Sequence, residues 1–141
     1  MIKRKRIDPR SLARRLMAGI YLAAGLAHLI VPAPFVMITP PWVPLPELMV
    51  ALTGLMEIVG AVALMTSRFR RAAGVGLALY AVCVFPANIQ HAIDSAGPSG
   101  GALGWWYHGP RLLFQPVIVW WALWVGEVID WPFRPRAADR P

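Results

Sequence analysis

A few hydrophilic side chains interrupt the otherwise apolar stretches of this sequence, and they carry what chemistry the chain has to offer: His28, Glu57, Asn88, His91, Arg111 and Gln115. Asn88 and His91 are spaced i, i+3 and Arg111 and Gln115 i, i+4, so each pair shares one face of a helix. Tyr21 and Gly25 lie on the face of His28, and Thr53 sits one turn before Glu57. Two imidazoles and a carboxylate form a donor set for zinc, iron or copper. Two histidines on different helices can also ligate haem axially. Against a metal or haem, no H-x-x-E or E-x-x-H helical pair occurs, and Glu57 is expected about two turns deeper than either His28 or His91. A quinone asks for less, namely a hydrogen-bond donor beside an aromatic slot, which His28 or His91 with Tyr21, Tyr80 or Trp120 supplies. No nucleophile and base pair, phosphate loop or dinucleotide fingerprint is present, so catalysis by this chain alone is not expected.

The elements that must position these groups are set by hydropathy. Hydrophobic residues make up 57% of the sequence, charged residues 15%, and the mean hydropathy is +0.53, which places the chain in the membrane class. Four apolar stretches, 12–31, 48–66, 72–92 and 112–129, each match a hydrocarbon core of ~30 Å at a helical rise of ~1.5 Å per residue. The expectation is an all-α protein, a single membrane domain over 1–141 forming a four-transmembrane-helix up-and-down bundle with short basic tails at 1–11 and 131–141. Of the fourteen Lys and Arg residues, thirteen precede or begin the first span, connect the second to the third, or follow the fourth; only Arg111 lies on the other side. That bias predicts both termini in the cytoplasm, with the basic clusters touching anionic headgroups of the lipid bilayer and no nucleic-acid partner. The first span is expected to be retained, because its apolar run exceeds the ~7–15 residues of a signal peptide.

The remaining features support the same bundle. The segment 31–47 holds six prolines and is expected to form a rigid apolar flap with Trp42 at headgroup depth. The stretch "DSAGPSGGALGWWYHGPR" is expected to be a flexible linker followed by an interfacial anchor at Trp105, Trp106 and Tyr107, matched at the other interface by Trp131 and Phe133. Ala18, Gly25, Gly54, Gly60, Gly74 and Gly76 allow close helix approach. The lone Cys83 excludes an internal disulfide or a C-x-x-C relay and is expected to be a small buried residue. Pro86 and Pro116 should bend their helices and free the carbonyls of Val82 and Leu112, which persist at membrane depth only beside protein or cavity water. Together these expectations place Tyr21, His28, Thr53, Glu57, Asn88, His91, Arg111 and Gln115 around a polar pocket open to the outside and floored by Glu57.

The runs "GLAHLIVPAPF", "PPWVPLP", "LTGLMEIVGAVAL", "RFRRAAGVGLAL" and "VFPANIQHA", spread over 17–92, resemble the DoxX family of small bacterial membrane proteins. The resemblance implies a multi-pass bacterial inner-membrane protein with four helices, working beside a redox partner protein in a quinone-linked or oxidative-stress system. It also implies that His28, Glu57, Asn88 and His91 fall on the family's characteristic polar positions, without assigning them a reaction. Self-association into a homo-oligomer is compatible with it. Two other readings stand beside this one: a structural or assembly protein whose buried polar groups set helix register, and a small proton-coupled permease using Glu57. The permease lacks paired acids and an inverted repeat.

Overall fold

The structure, a computed structural model, describes residues 8–96 and 104–132; the basic start of the chain, the glycine-rich 97–103 and the residues from Phe133 onward lie outside the described residues. Five helices follow one another: α1 (Pro9–Ile30), the short α2 (Ala33–Met37), α3 (Pro46–Met65), α4 (Arg70–Ala96) and α5 (Gly104–Val125), with no strand among the described residues. Two helical stretches, Pro46–Met65 and Arg70–Ser95, are long and apolar enough to cross a membrane.

Local signals explain the boundaries. Asp8 caps α1, its carboxylate accepting from the amides of Arg10 and Ser11 at 3.2 and 3.1 Å, and Pro9 supplies the preset first position. Pro46 opens α3 in the same way. α4 runs through Pro86, and α5 runs through both Pro110 and Pro116. The segment expected as an interfacial anchor is therefore the first two turns of α5, which starts eight residues before Leu112. Proline removes a single ladder bond, and neighbouring helices can satisfy the carbonyl it frees, so a helix lined on one side by partners continues past it.

The long helices form two antiparallel pairs, α1 with α3 and α4 with α5, joined mainly by α3 against α4. Glycines set each contact. A Cβ on Gly25 would lie 2.5 Å from the Gly54 carbonyl, and one on Gly54 would lie 2.7 Å from His28 Cβ, so the two backbones touch at this point. Gly74 and Gly126 play the same part for α4 and the end of α5, where an added Cβ would come within 2.6–2.7 Å of the partner's Cα. Gly60 makes room for Leu77. Gly76 was expected at a helix contact but has open space around its Cα. Cys83 is likewise exposed rather than buried: it follows Val82 on the outward side of α4, where an apolar side chain meets no neighbouring helix.

The interior divides into an apolar half and a polar half. Met17, Ala61, Leu64, Leu77, Ala122 and Val125 cluster where α1 and α4 begin and α3 and α5 end. That end is fastened by three arginines. Buried Arg14 donates to the Val125 carbonyl at 2.8 Å and to Glu127 Oε1 at 2.7 Å, and Arg70 donates to the same Glu127 oxygen at 2.8 Å. Arg10 donates to the carbonyls of Trp124 and Ile129 and pairs with Asp130. The last carbonyls of a helix have no intrahelical partner, so these guanidiniums satisfy them and meet the negative end of the helix dipole. The outward surface is different in kind: Leu16, Ile20, Leu52, Val59, Leu79 and Phe114 are all exposed, Val59 at 58% and Phe114 at 60%.

Candidate functional site

The site begins at the Gly25 and Gly54 contact. Side chains on an α-helix lean toward its N-terminus, and α1 and α3 run in opposite directions. His28 therefore leans down α1 while Glu57 leans up α3, and they meet: His28 Nδ1 lies 2.9 Å from Glu57 Oε2. This corrects the expectation that Glu57 sits two turns deeper than the histidine. Glu57 is buried, at 5% exposure, and its other oxygen accepts a hydrogen bond from the Tyr80 hydroxyl of α4 at 2.9 Å. Three helices thus contribute one titratable group each to a single junction.

The junction is not fully satisfied. His28 Nδ1 is also 2.8 Å from the Ala24 carbonyl, so its single hydrogen is contested by two acceptors. Glu57 Oε2 is left buried without a well-directed hydrogen bond despite its short contact with the imidazole. A buried carboxyl oxygen in that state calls for a proton shared with the ring or for a donor brought by a ligand or water.

Aromatic rings wall this junction. Tyr21 stands edge-on to Tyr80 with ring centroids 6.2 Å apart, and Phe35, from α2 in the proline-rich flap, stacks on His28 with centroids 4.0 Å apart and planes 29° from parallel. The flap is thus the cover of His28, a role its apolar, proline-rich composition alone did not reveal. Phe35→Ala is expected to raise the rate at which diethylpyrocarbonate modifies His28, followed by peptide mass spectrometry, several-fold over wild type. An unchanged rate would mean that Phe35 does not shield the ring.

Thr53 stays at this junction: it donates to the Val50 carbonyl of its own helix at 2.9 Å and its hydroxyl also lies within hydrogen-bonding reach of Tyr80. The other expected residues occupy separate places. Gln115 donates to the Ala81 carbonyl, one residue from the Val82 carbonyl that Pro86 frees. Asn88 accepts from Arg111 Nη2 at 2.6 Å. His91 stands edge-to-face against His108, centroids 4.9 Å apart. Tyr80 and Asn88 are eight residues apart on α4, which separates the Glu57 level from the Asn88 level by roughly 12 Å along the axis. The expected single pocket is thus a polar half with two levels. Trp120 belongs to neither level: it stacks on Trp124 and donates to the Trp131 carbonyl at the arginine-fastened end. Two surface grooves, one lined by Arg15, Gly19 and Ala61 and the other by Arg71, Gly76 and Glu127, also lie at that end rather than beside Glu57. Among the described residues no three His, Cys, Asp or Glu side chains gather as metal ligands.

Sequence reasoning missed His108, the deepest of the three histidines at 3% exposure, because it placed "WWYHGPR" outside the helix. The signal was present: His108, Arg111 and Gln115 are spaced i, i+3, i+7, one stripe of a helix. It also missed Arg14, whose stripe continues through Met17, Tyr21 and His28.

No curated protein and no solved structure matches this chain. Residues 17–126 match one family, described as a domain of unknown function, DUF8561; the match takes in both polar levels and stops one residue short of Glu127. Because that match covers most of the sequence, the chain belongs to the DUF8561 family.

Proposed function

We propose that the protein is a multi-pass protein of the bacterial inner membrane in which all four long helices span the bilayer, arginine-rich end in the cytoplasm, and that the His28, Glu57 and Tyr80 junction binds a quinone or comparable small ring as a DoxX-type accessory subunit beside a redox partner. The four-span reading draws support from the exposed apolar surface, which continues over α1 and α5 as well as the two more hydrophobic helices. α1 falls short on hydropathy because it opens with Arg10, Arg14 and Arg15, and α5 chiefly because His108, Arg111 and Gln115 lower the index. Tryptophan favours membrane interfaces, and basic residues favour the cytoplasmic flank.

The observation that carries the ligand reading is the buried Glu57 Oε2, which lacks a directed partner, next to an imidazole already covered by a flat ring at stacking distance. A quinone would take the face of His28 that Phe35 now holds and bring a carbonyl or hydroxyl to the carboxyl group. The test is isothermal titration of a short-chain quinone into the protein in lipid nanodiscs. Wild type is expected to bind, and Glu57→Gln and Tyr80→Phe to bind at least about tenfold more weakly, the effect of losing roughly one charge-assisted hydrogen bond. Absence of binding to wild type would refute the ligand reading.

A second reading has its own observation: Tyr80, Glu57 and His28 tie α4, α3 and α1 together at the glycine contact, which suits helix registry without any ligand. On that reading Glu57→Gln lowers stability and leaves every redox phenotype unchanged.

A further inference from the structure

The second polar level, where α4 ends and α5 begins, has a composition the Glu57 junction does not explain. Arg111 donates through Nη2 to Asn88 Oδ1, which engages the acceptor of that amide and leaves its NH2 group to face elsewhere. His91 and His108 stand edge-to-face, and Tyr107 packs edge-on against His108 with centroids 5.0 Å apart. His108 is almost fully buried, and among the described residues its Nδ1 has no hydrogen-bond partner. Deeper in, Gln115 closes the floor by binding the Ala81 carbonyl.

The inventory is one-sided. A guanidinium offers five N–H groups, the Asn88 amide two and each imidazole at least one, while the Asn88 carbonyl is already taken and the side-chain acceptors left are the Gln115 carbonyl and the unprotonated imidazole nitrogens. Among the described residues no carboxylate pairs with Arg111, and 97–103 contains no acidic residue. The acids at this end are Glu47 and Asp94. Asp94 lies within electrostatic reach of His91, together with Arg111 and His108, and accepts from Gln90 on the exposed side. A cluster rich in donors, poor in acceptors and carrying a guanidinium repels cations and suits an oxyanion, whose oxygens accept charge-assisted hydrogen bonds.

We infer that Arg111, Asn88, His91 and His108 form a binding site for a small oxyanion, a phosphate or carboxylate group, presented either by a dissolved solute or by an anionic lipid headgroup. The site does not depend on quinone binding at Glu57; only its lipid source rests on the membrane reading. A free anion would enter from the α4 and α5 end, whereas a headgroup would reach the same donors from the bilayer surface.

The experiment uses the full chain in nanodiscs of neutral phosphatidylcholine, titrated with inorganic phosphate, and in parallel nanodiscs containing phosphatidylglycerol. The readouts are calorimetry and the ¹⁵N shifts of the imidazole of His108. If the source is a solute, phosphate binds in neutral discs, moves the His108 resonances, and binds at least about tenfold more weakly to Arg111→Gln and His108→Gln. If the source is a headgroup, phosphatidylglycerol moves those resonances and is enriched around wild type but not Arg111→Gln, while free phosphate does little. Should neither phosphate nor phosphatidylglycerol move the wild-type His108 signals, the inference is overturned, and that result needs no variant to fold. The quinone titration is unaffected by either outcome, so the two failures are told apart.

Discussion

Gly54→Val is expected to separate α1 from α3 and, in the same step, to pull His28 away from Glu57. The added side chain would begin 2.7 Å from His28 Cβ and 2.9 Å from the Gly25 carbonyl, closer than real Cβ contacts occur, and one of those obstacles is backbone. A flexible side chain can turn aside; a helix backbone can only move as a body. Overpacking of this kind costs about 3 kcal/mol or more, because no rotamer relieves it. Reversible unfolding in bicelles should show the loss, and the variant should also fail in the quinone titration although its titratable groups are intact. Gly76→Ala and Gly19→Ala are the controls, since nothing stands within 4 Å of an added Cβ at either place. They should be neutral or slightly stabilising, as expected from helix propensity. Equal losses for Gly54→Val and Gly76→Ala would mean that the close contact is not what joins the helices.

Arg14→Ala is the second large effect. Arg14 is 7% exposed and serves two acceptors, the Val125 carbonyl at the end of α5 and Glu127. Its removal leaves the carbonyl without that donor and Glu127 with Arg70 alone. The expected loss is roughly 1–3 kcal/mol, the range for stranding a buried acceptor, with little added by the half-exposed Glu127 pair. Arg15→Ala removes the same charge one residue away, from an exposed position, and should change stability little. Comparable losses for the two variants would reduce Arg14 to a topology signal and refute its role as a fastening for α5. Glu127 adds a local detail: its φ of 61° is in the left-handed region, which glycine adopts freely and asparagine tolerates but which strains most other residues. Its retention of a carboxylate there is explained by the two arginines it accepts from.

How much of this was legible follows from what each signal measures. Hydropathy averages over a window, so it located helices near 12–31, 48–66 and 72–92, while the small residues Gly25, Gly54 and Gly74 were legible by type alone. It could not register that His28 and Glu57 meet. Counting residues from a span's end gives the depth of a backbone atom, whereas the two side chains lean in opposite directions by virtue of their helices' polarity, and that closes the apparent gap. The aromatic stretch before Leu112 misled as well: tryptophans and a tyrosine argued for an interfacial anchor outside the span, but the packing of α5 on α4 through Arg111 and Gln115 carries the helix back to Gly104 and through Pro110. Cys83 misled for a different reason. The statistics that bury cysteine come from proteins in water, and on an all-apolar helix nothing in the residue type says which side faces its neighbours. The pairing of His91 with His108 depended on placing α5 correctly, so the missed helix start concealed a member of the second level as well.

The central claim is that α1 and α3 bring the His28 imidazole onto the Glu57 carboxyl group in the interior of the helices. Solid-state NMR of the protein in lipid bilayers, with ¹⁵N-histidine and ¹³C-glutamate labels, tests it directly through dipolar recoupling. A strong through-space contact between His28 Nδ1 and the Glu57 carboxyl carbon is the predicted result. A Glu57 carboxyl carbon that shows contacts to acyl chains and none to the imidazole would contradict it.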